Sequence, residues 1–333
     1  MTSYTLENGI LKLNNDFTGP LEKDFFEKQT HVIFGTNFDK PIHNMPNTLE
    51  TIEFDFCSVF NQNICCFIEG HEKCNCPVRL PDSIKKLKLG WYFDMPICCI
   101  KEGHENGCAC PSLLPDGLEY LRLSREFNKP VNNLPSSLTE IDFSYNFNLS
   151  VDNLPPNLLY LSFGELFNQP VNNLPSKLKK IKFGYEFNQP IDFLPDSLLV
   201  LELGFFFNQK IENLPLNLEH LTLGHNFDQS VDFIPDSIKT LVLENSFNQK
   251  INKLPKNLEK IILYPSYNLP LPKKDNLIIE YIDYYNPNSD YSDYSDGYED
   301  LYYNLDIKYL IIVFGNFTLL RTNIISSILT KIQ

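Results

Sequence analysis

The stretch LTEIDFSYNFNLSVDNLPPNLLYLSFGELFNQPVNNLPSKLKKIKFGYEF, residues 138–187, repeats one pattern with little change. Aligned on a single aromatic, Phe147, Phe167 and Phe187 fall 20 residues apart, and Phe127, Phe207, Phe227, Phe247 and Tyr267 keep the same interval. Upstream the anchor continues at Phe93, Phe60, Phe38 and Phe17, which makes twelve coils. A fixed period of this length marks a stacked repeat, in which each unit buries its apolar face only against its neighbours. The consensus reads L-P-x-x-L-x-x-L-x-F-G-x-x-F-N-Q-P-I-x-x.

Within one coil, Leu138, Ile141 and Phe143 give L-x-x-L-x-F, and the closing alternation has the period of a short strand with one buried face. Twenty residues are too few for a helical hairpin with its turns. The recurring Leu-Pro pair removes an N–H and biases the residue before it to extended geometry, so the return limb is expected to be extended. Gly164, Gly184, Gly204 and Gly224 follow the strands, and a corner there is expected to need glycine's range of φ. Asn148, Asn168, Asn188, Asn208, Asn248 and Asn268, with Asp228 substituting, are expected to stack as a ladder bonding backbone groups at the turn. The fold expected is a β-rich, right-handed solenoid with one parallel strand per 20-residue repeat, extended return limbs and few helices.

The runs FNKPV, FNQPV, FNQPI, FNQKI and FNLPL, each followed after two residues by Leu-Pro, resemble the FNIP repeat. That family is familiar from amoebae and large DNA viruses and is regarded as a leucine-rich-repeat relative. The resemblance covers residues 30–272 and implies a leucine-rich-repeat-like interaction scaffold. Some members attach an F-box that recruits a ubiquitin ligase, whereas residues 1–29 here read as a capping coil. The turn Asn follows the Phe, a departure from the register of standard leucine-rich repeats.

Composition sets outer bounds. The chain has 333 residues, 43% of them apolar and 13% aromatic, ample for a core. Its net charge is -14, and Glu280, Asp283, Asp290, Asp293, Asp296, Glu299, Asp300 and Asp306 lie in one stretch without Lys or Arg. The remainder is close to neutral, and neither part offers the basic footprint that nucleic acid requires. The opening residues lack a secretory pattern and no apolar run spans a bilayer, so a cytoplasmic location is expected. Residues 273–305 read as an acidic Tyr/Ser/Asp-rich loop, open to phosphorylation or docking, and residues 306–333 as an apolar cap that is either helix or strand.

Two adjacent coils carry cysteine-rich insertions at one position, residues 65–77 and 98–111. Stacked side by side, they would bring Cys65, Cys66, His71, Cys74 and Cys76 near Cys98, Cys99, His104, Cys108 and Cys110. Zinc takes four S and N ligands, and each insertion offers four Cys and one His; free thiols and disulfides are the other readings.

On the strand face turned from the core, Tyr145, Tyr160, Lys182, Tyr185, Glu202, Phe205 and His225 are the candidate contacts for a protein or peptide partner, a host protein included. The same positions also fit a plain solvated sheet face. Self-association in an assembly is the alternative role. His220 and His225 have no accompanying nucleophile and acid, so no catalytic residue is assigned and the chain is read as a non-enzyme. For the insertions, metal analysis of protein purified without chelator is expected to find zinc; less than about half an equivalent per chain counts against it.

Overall fold

The computed structural model describes residues 4–17, 21, 26, 28–42, 45–64, 80–97 and 114–281. They hold one fourteen-stranded sheet whose strands lie in chain order. These are β1 (Tyr4–Glu7), β2 (Ile10–Leu13), β3 (His31–Phe34), β4 (Thr51–Phe54), β5 (Lys86–Lys88), β6 (Tyr120–Arg122), β7 (Glu140–Phe143), β8 (Tyr160–Phe163), β9 (Lys180–Lys182), β10 (Val200–Glu202), β11 (His220–Leu223), β12 (Thr240–Leu243), β13 (Lys260–Leu263) and β14 (Ile278–Tyr281). β1 and β2 form an antiparallel hairpin at the edge, and β2 then pairs parallel with β3. From β7 to β13 the pairing advances one coil at a time without a slip: Ile141, Leu161, Ile181, Leu201, Leu221, Leu241 and Ile261 stand opposite one another.

Parallel neighbours need a crossover, and here turns make it. After β8 the chain bends at 165–166, 172–173 and 176–177 before entering β9. The Leu178 N–H donates to the Pro175 carbonyl at 3.3 Å, and the Leu198 N–H to that of Pro195 at 3.1 Å. The proline therefore opens a turn instead of prolonging an extended limb. Its missing N–H costs nothing there, because the turn uses its carbonyl.

Inside the coil Leu, Ile and Phe are buried column by column. The corner phenylalanines stack, with ring centroids 6.2 Å apart for Phe147 and Phe167 and 6.1 Å for Phe167 and Phe187. A second column at the strand ends, Phe143, Phe163 and Phe183, has steps of 5.4 and 5.3 Å. Neighbouring strands lie about 4.8 Å apart. Repeat spacing thus widens from the sheet towards the corner, so the solenoid bends with its strands on the inner side.

Polar ladders join the coils. The backbone N–H of Asn168 donates to Asn148 Oδ1 at 2.9 Å, that of Asn188 to Asn168 Oδ1 at 3.0 Å and that of Asn208 to Asn188 Oδ1 at 3.0 Å. Asp228 and Asn248 continue the series at 3.0 and 2.9 Å. No such bond reaches Asn268 among the described residues. Gln189 and Gln209 each add an Nε2 donor to the Oδ1 one coil back, both at 3.0 Å. A second ladder was not foreseen: the hydroxyls of Ser137, Ser197 and Ser237 donate to the carbonyls of Leu118, Leu178 and Leu218, each at 2.6 Å.

The glycine column has a different cause from the one expected. None of these four glycines has positive φ; among the described glycines only Gly9 does, whereas Ser144, at the same position one coil before Gly164, has φ 29°. A Cβ on Gly184 would instead stand 2.0 Å from the carbonyl oxygen of Gly164, and one on Gly204 1.8 Å from that of Gly184. At Gly164, Gly184, Gly204 and Gly224 glycine is required because backbone meets backbone across the coils.

The sheet also runs further than the repeat count implied. Lys260 pairs with Ile278 and Leu263 with Tyr281, so β14 lies within the segment read as an acidic loop. Its Leu-Ile-Ile run supplies the apolar residues that a closing strand needs. The rest of that loop and the apolar cap lie outside the described residues. Among the described residues no helix is long and apolar enough to cross a membrane. Gly184→Ala is expected to lower stability by about 1–3 kcal/mol in urea unfolding, because backbone must move to admit the methyl. An unchanged midpoint would mean that the coils separate at little cost.

Candidate functional site

Each strand turns two or three side chains away from the core, since alternate residues face opposite sides. Turn residues just beyond the strands extend that surface as a further column: Phe56, Trp91, Arg125, Tyr145, Glu165, Tyr185, Phe205 and His225. The structure therefore gathers all seven groove candidates on the inner side of the bend. Tyr160, Lys182 and Glu202 come from β8, β9 and β10, and Tyr145, Tyr185, Phe205 and His225 from the turns.

They are not equally available. Tyr145, Tyr160 and Tyr185 are 37%, 45% and 41% exposed. Phe205 and His225 are half-buried, because Tyr185 stacks on Phe205 at 4.4 Å and Phe205 on His225 at 4.3 Å with rings 3° from parallel. Glu202 is held by Lys180, Nζ to Oε1 2.7 Å. These ring steps are shorter than the strand spacing, as expected on the inner side of a curve.

Towards the first coils the column becomes a mixed aromatic and cationic stack. The Arg125 guanidinium lies 4.2 Å from the Trp91 ring centroid and 4.2 Å from that of Tyr145. Phe56 meets Trp91 edge-on at 5.3 Å. Phe56, Trp91 and Arg125 were missed by sequence reasoning, because the insertions stretch the anchor spacing and hide their shared position. The residue two places after each strand-end Leu or Phe would have marked Trp91 and Arg125, since LGWYF and LSREF match FSYNF.

Charge on this face is largely paired. Lys88 reaches Glu53 at 3.2 Å, Arg122 reaches Asp142 at 3.8 Å and Lys260 reaches Glu280 at 2.8 Å. Burial lowers the His31 imidazole below its ordinary range, partly offset by Glu53. Burial raises the Glu140 carboxyl, and the negative charge of Asp142 raises it further. Glu165 is raised by burial too, opposed by the Tyr185 N–H donated to its Oε2 at 3.1 Å.

Beside the turn column is an open depression of about 420 Å³ lined by Asn168, Glu186, Asn188, Phe206, Asn208 and Asn226. Its lining has no cysteine, serine or histidine for nucleophilic chemistry. The ten candidate zinc ligands lie outside the described residues. Among the described residues no group of three or more His, Cys, Asp or Glu gathers as a metal site.

A parallel one-strand-per-coil solenoid with stacked Leu, Phe and Asn columns defines a leucine-rich-repeat-like protein. The FNIP Repeat model matches residues 130–166, 167–206, 207–246 and 230–264, so this part of the chain is built of FNIP repeats. Among solved structures the chain is similar to CroV588, a circular leucine-rich-repeat protein, at 30% identity and a TM-score of 0.64, over 84% of this chain and 43% of that one. It is also similar to YopM from Yersinia enterocolitica WA-314, at 19% identity and a TM-score of 0.44, over 76% of this chain and 58% of that one. The chain thus spans less than two thirds of either relative's length. No curated protein sequence matches it.

One departure in the glycine column carries a pH signature. Glu244 occupies the position of Gly224 one coil on, and burial pushes its carboxyl up to about 7. No hydrogen bond or ion pair reaches that carboxyl among the described residues. With the folded value above the ordinary one, stability is complete at low pH and falls as pH rises from the ordinary carboxylate range through about 7. Glu244→Gln is expected to melt higher than the parent at pH 8, by about 2 kcal/mol or more, with the gap closing near pH 4. A gap independent of pH would contradict this.

Proposed function

We propose that this chain is a non-catalytic interaction scaffold that holds a polypeptide partner along its concave, strand-lined face. Repeat folds of this kind generally serve as protein-binding scaffolds. The observation that carries the reading is the gradient of repeat spacing, from 4.3 Å in the turn column to 6.2 Å in the corner column. It puts a continuous row of variable side chains inside a curve, where an extended partner meets many coils at once. Framework positions repeat because packing dictates them, whereas outward positions change from coil to coil: Glu140, Tyr160, Lys180, Val200, His220, Thr240. Such variation suits recognition of one partner sequence, and the exposed Tyr145, Tyr160 and Tyr185 supply rigid amphipathic contacts at low entropic cost.

Self-association has separate support. Phe193, Leu216 and Phe233 are 68%, 79% and 64% exposed on the turns of the return limb, away from the strand face. Capture from the native cell or infected host separates the two roles, because a foreign polypeptide supports the groove while copies of the chain alone support assembly. The double variant Tyr160→Ala, Tyr185→Ala is expected to lower capture of a foreign partner by about tenfold or more while keeping the sheet signal in circular dichroism. Undiminished capture would remove the groove.

A further inference from the structure

Arg125 occupies an unusual electrostatic position. Its guanidinium is stacked on Trp91 in the coil before and on Tyr145 in the coil after, at 4.2 Å each. The carboxylate next to it in sequence is already engaged: Glu126 Oε1 accepts from Trp91 Nε1 at 3.3 Å, and Oε2 from Asn146 Nδ2 at 2.8 Å. Lys88, Arg122 and Lys180 on the same face each reach a carboxylate, at 3.2, 3.8 and 2.7 Å. Arg125 reaches no carboxylate or carbonyl among the described residues.

Stacking satisfies the faces of a guanidinium but not its rim. The N–H groups all lie in the plane, so two rings fix that plane and leave the donors directed sideways. A carboxylate fits such a rim through two parallel bonds, and the ordering cost is reduced because the rings already hold the fork in place. Tyr92 and Phe56, 51% and 46% exposed, border the stack and give apolar surface to a peptide passing over it. The net charge of -14 opposes a nucleic-acid strand, whereas one acidic side chain needs only one free cation.

We propose that Arg125 is the anchor for an Asp or Glu side chain of the partner polypeptide, which crosses the inner face at the coils of β5 to β7. This rests on the reading of that face as a polypeptide groove, and it adds the chemistry of the segment bound. Trp91 is the sole tryptophan of the chain, so its fluorescence reports directly on the site.

The test titrates the full chain with a short oligoglutamate peptide, with oligoglutamine as the uncharged control. A saturable change in Trp91 emission is expected with oligoglutamate and none with oligoglutamine. Arg125→Gln is expected to weaken binding by about tenfold or more, the loss typical of a charged hydrogen-bond pair. Arg125→Lys keeps the charge, so its stability controls for folding; it is expected to remain weak because the planar fork is gone. Parental affinity in either variant overturns the proposal, as does an equal response to inorganic phosphate or to a single-stranded oligonucleotide. Partner capture that survives Arg125→Gln but is lost in Tyr160→Ala, Tyr185→Ala overturns the anchor and leaves the groove standing. A saturable oligoglutamate response from a chain that captures no foreign partner overturns the groove reading alone.

Discussion

Where the carbonyl of Gly164 approaches Gly184, a methyl group would have to stand 2.0 Å from it, and the same closeness recurs at Gly204 and Gly224. Direct apposition of one coil's backbone on the next governs the whole molecule. It brings each strand within hydrogen-bonding reach of its predecessor and places the Oδ1 of Asn148, Asn168, Asn188 and Asn208 under the N–H of the following coil. Polar groups at the turns are thereby satisfied in the coils from β7 to β13, whose crossovers are built of turns. A single coil has neither the neighbour nor the buried area to hold this arrangement, so order is a property of the stack.

The curvature follows from the same apposition. Corner phenylalanines need more room per coil than the strand ladder allows, about 6.2 Å against about 4.8 Å. The stack relieves the mismatch by bending towards the strands. On the inside of that bend, side chains in the turn just past each strand are pressed together, and so Tyr185, Phe205 and His225 become a ladder of their own. The inner face is therefore partly self-occupied: some aromatic faces stabilise the fold, while Tyr145 and Tyr160 stay exposed beside them.

Much of this was legible beforehand. The period, the strand in each coil, its inward Leu, Ile and Phe and the Asn ladder all follow from residues recurring at fixed intervals, because each serves the same contact in every coil. Less legible were the features in which coils differ. The glycine column could be located but not explained, since a close approach of two backbones 20 residues apart leaves the same mark in a sequence as a positive φ. β14 was assigned to a loop because its coil is shorter than the period that betrays the others. The seven groove residues could be named from their phase in the repeat, while their inequality could not.

The sequence by itself determined the repeat, the one-strand coil and the class of fold, because these depend on local pattern and on identical neighbours meeting in register. Only the tertiary structure decided which way the stack bends, which outward side chains are spent on one another and that Arg125 lies between two rings with no carboxylate in reach among the described residues. Those outcomes depend on distances between coils and on pairings among side chains that never repeat, and a period carries no information about either.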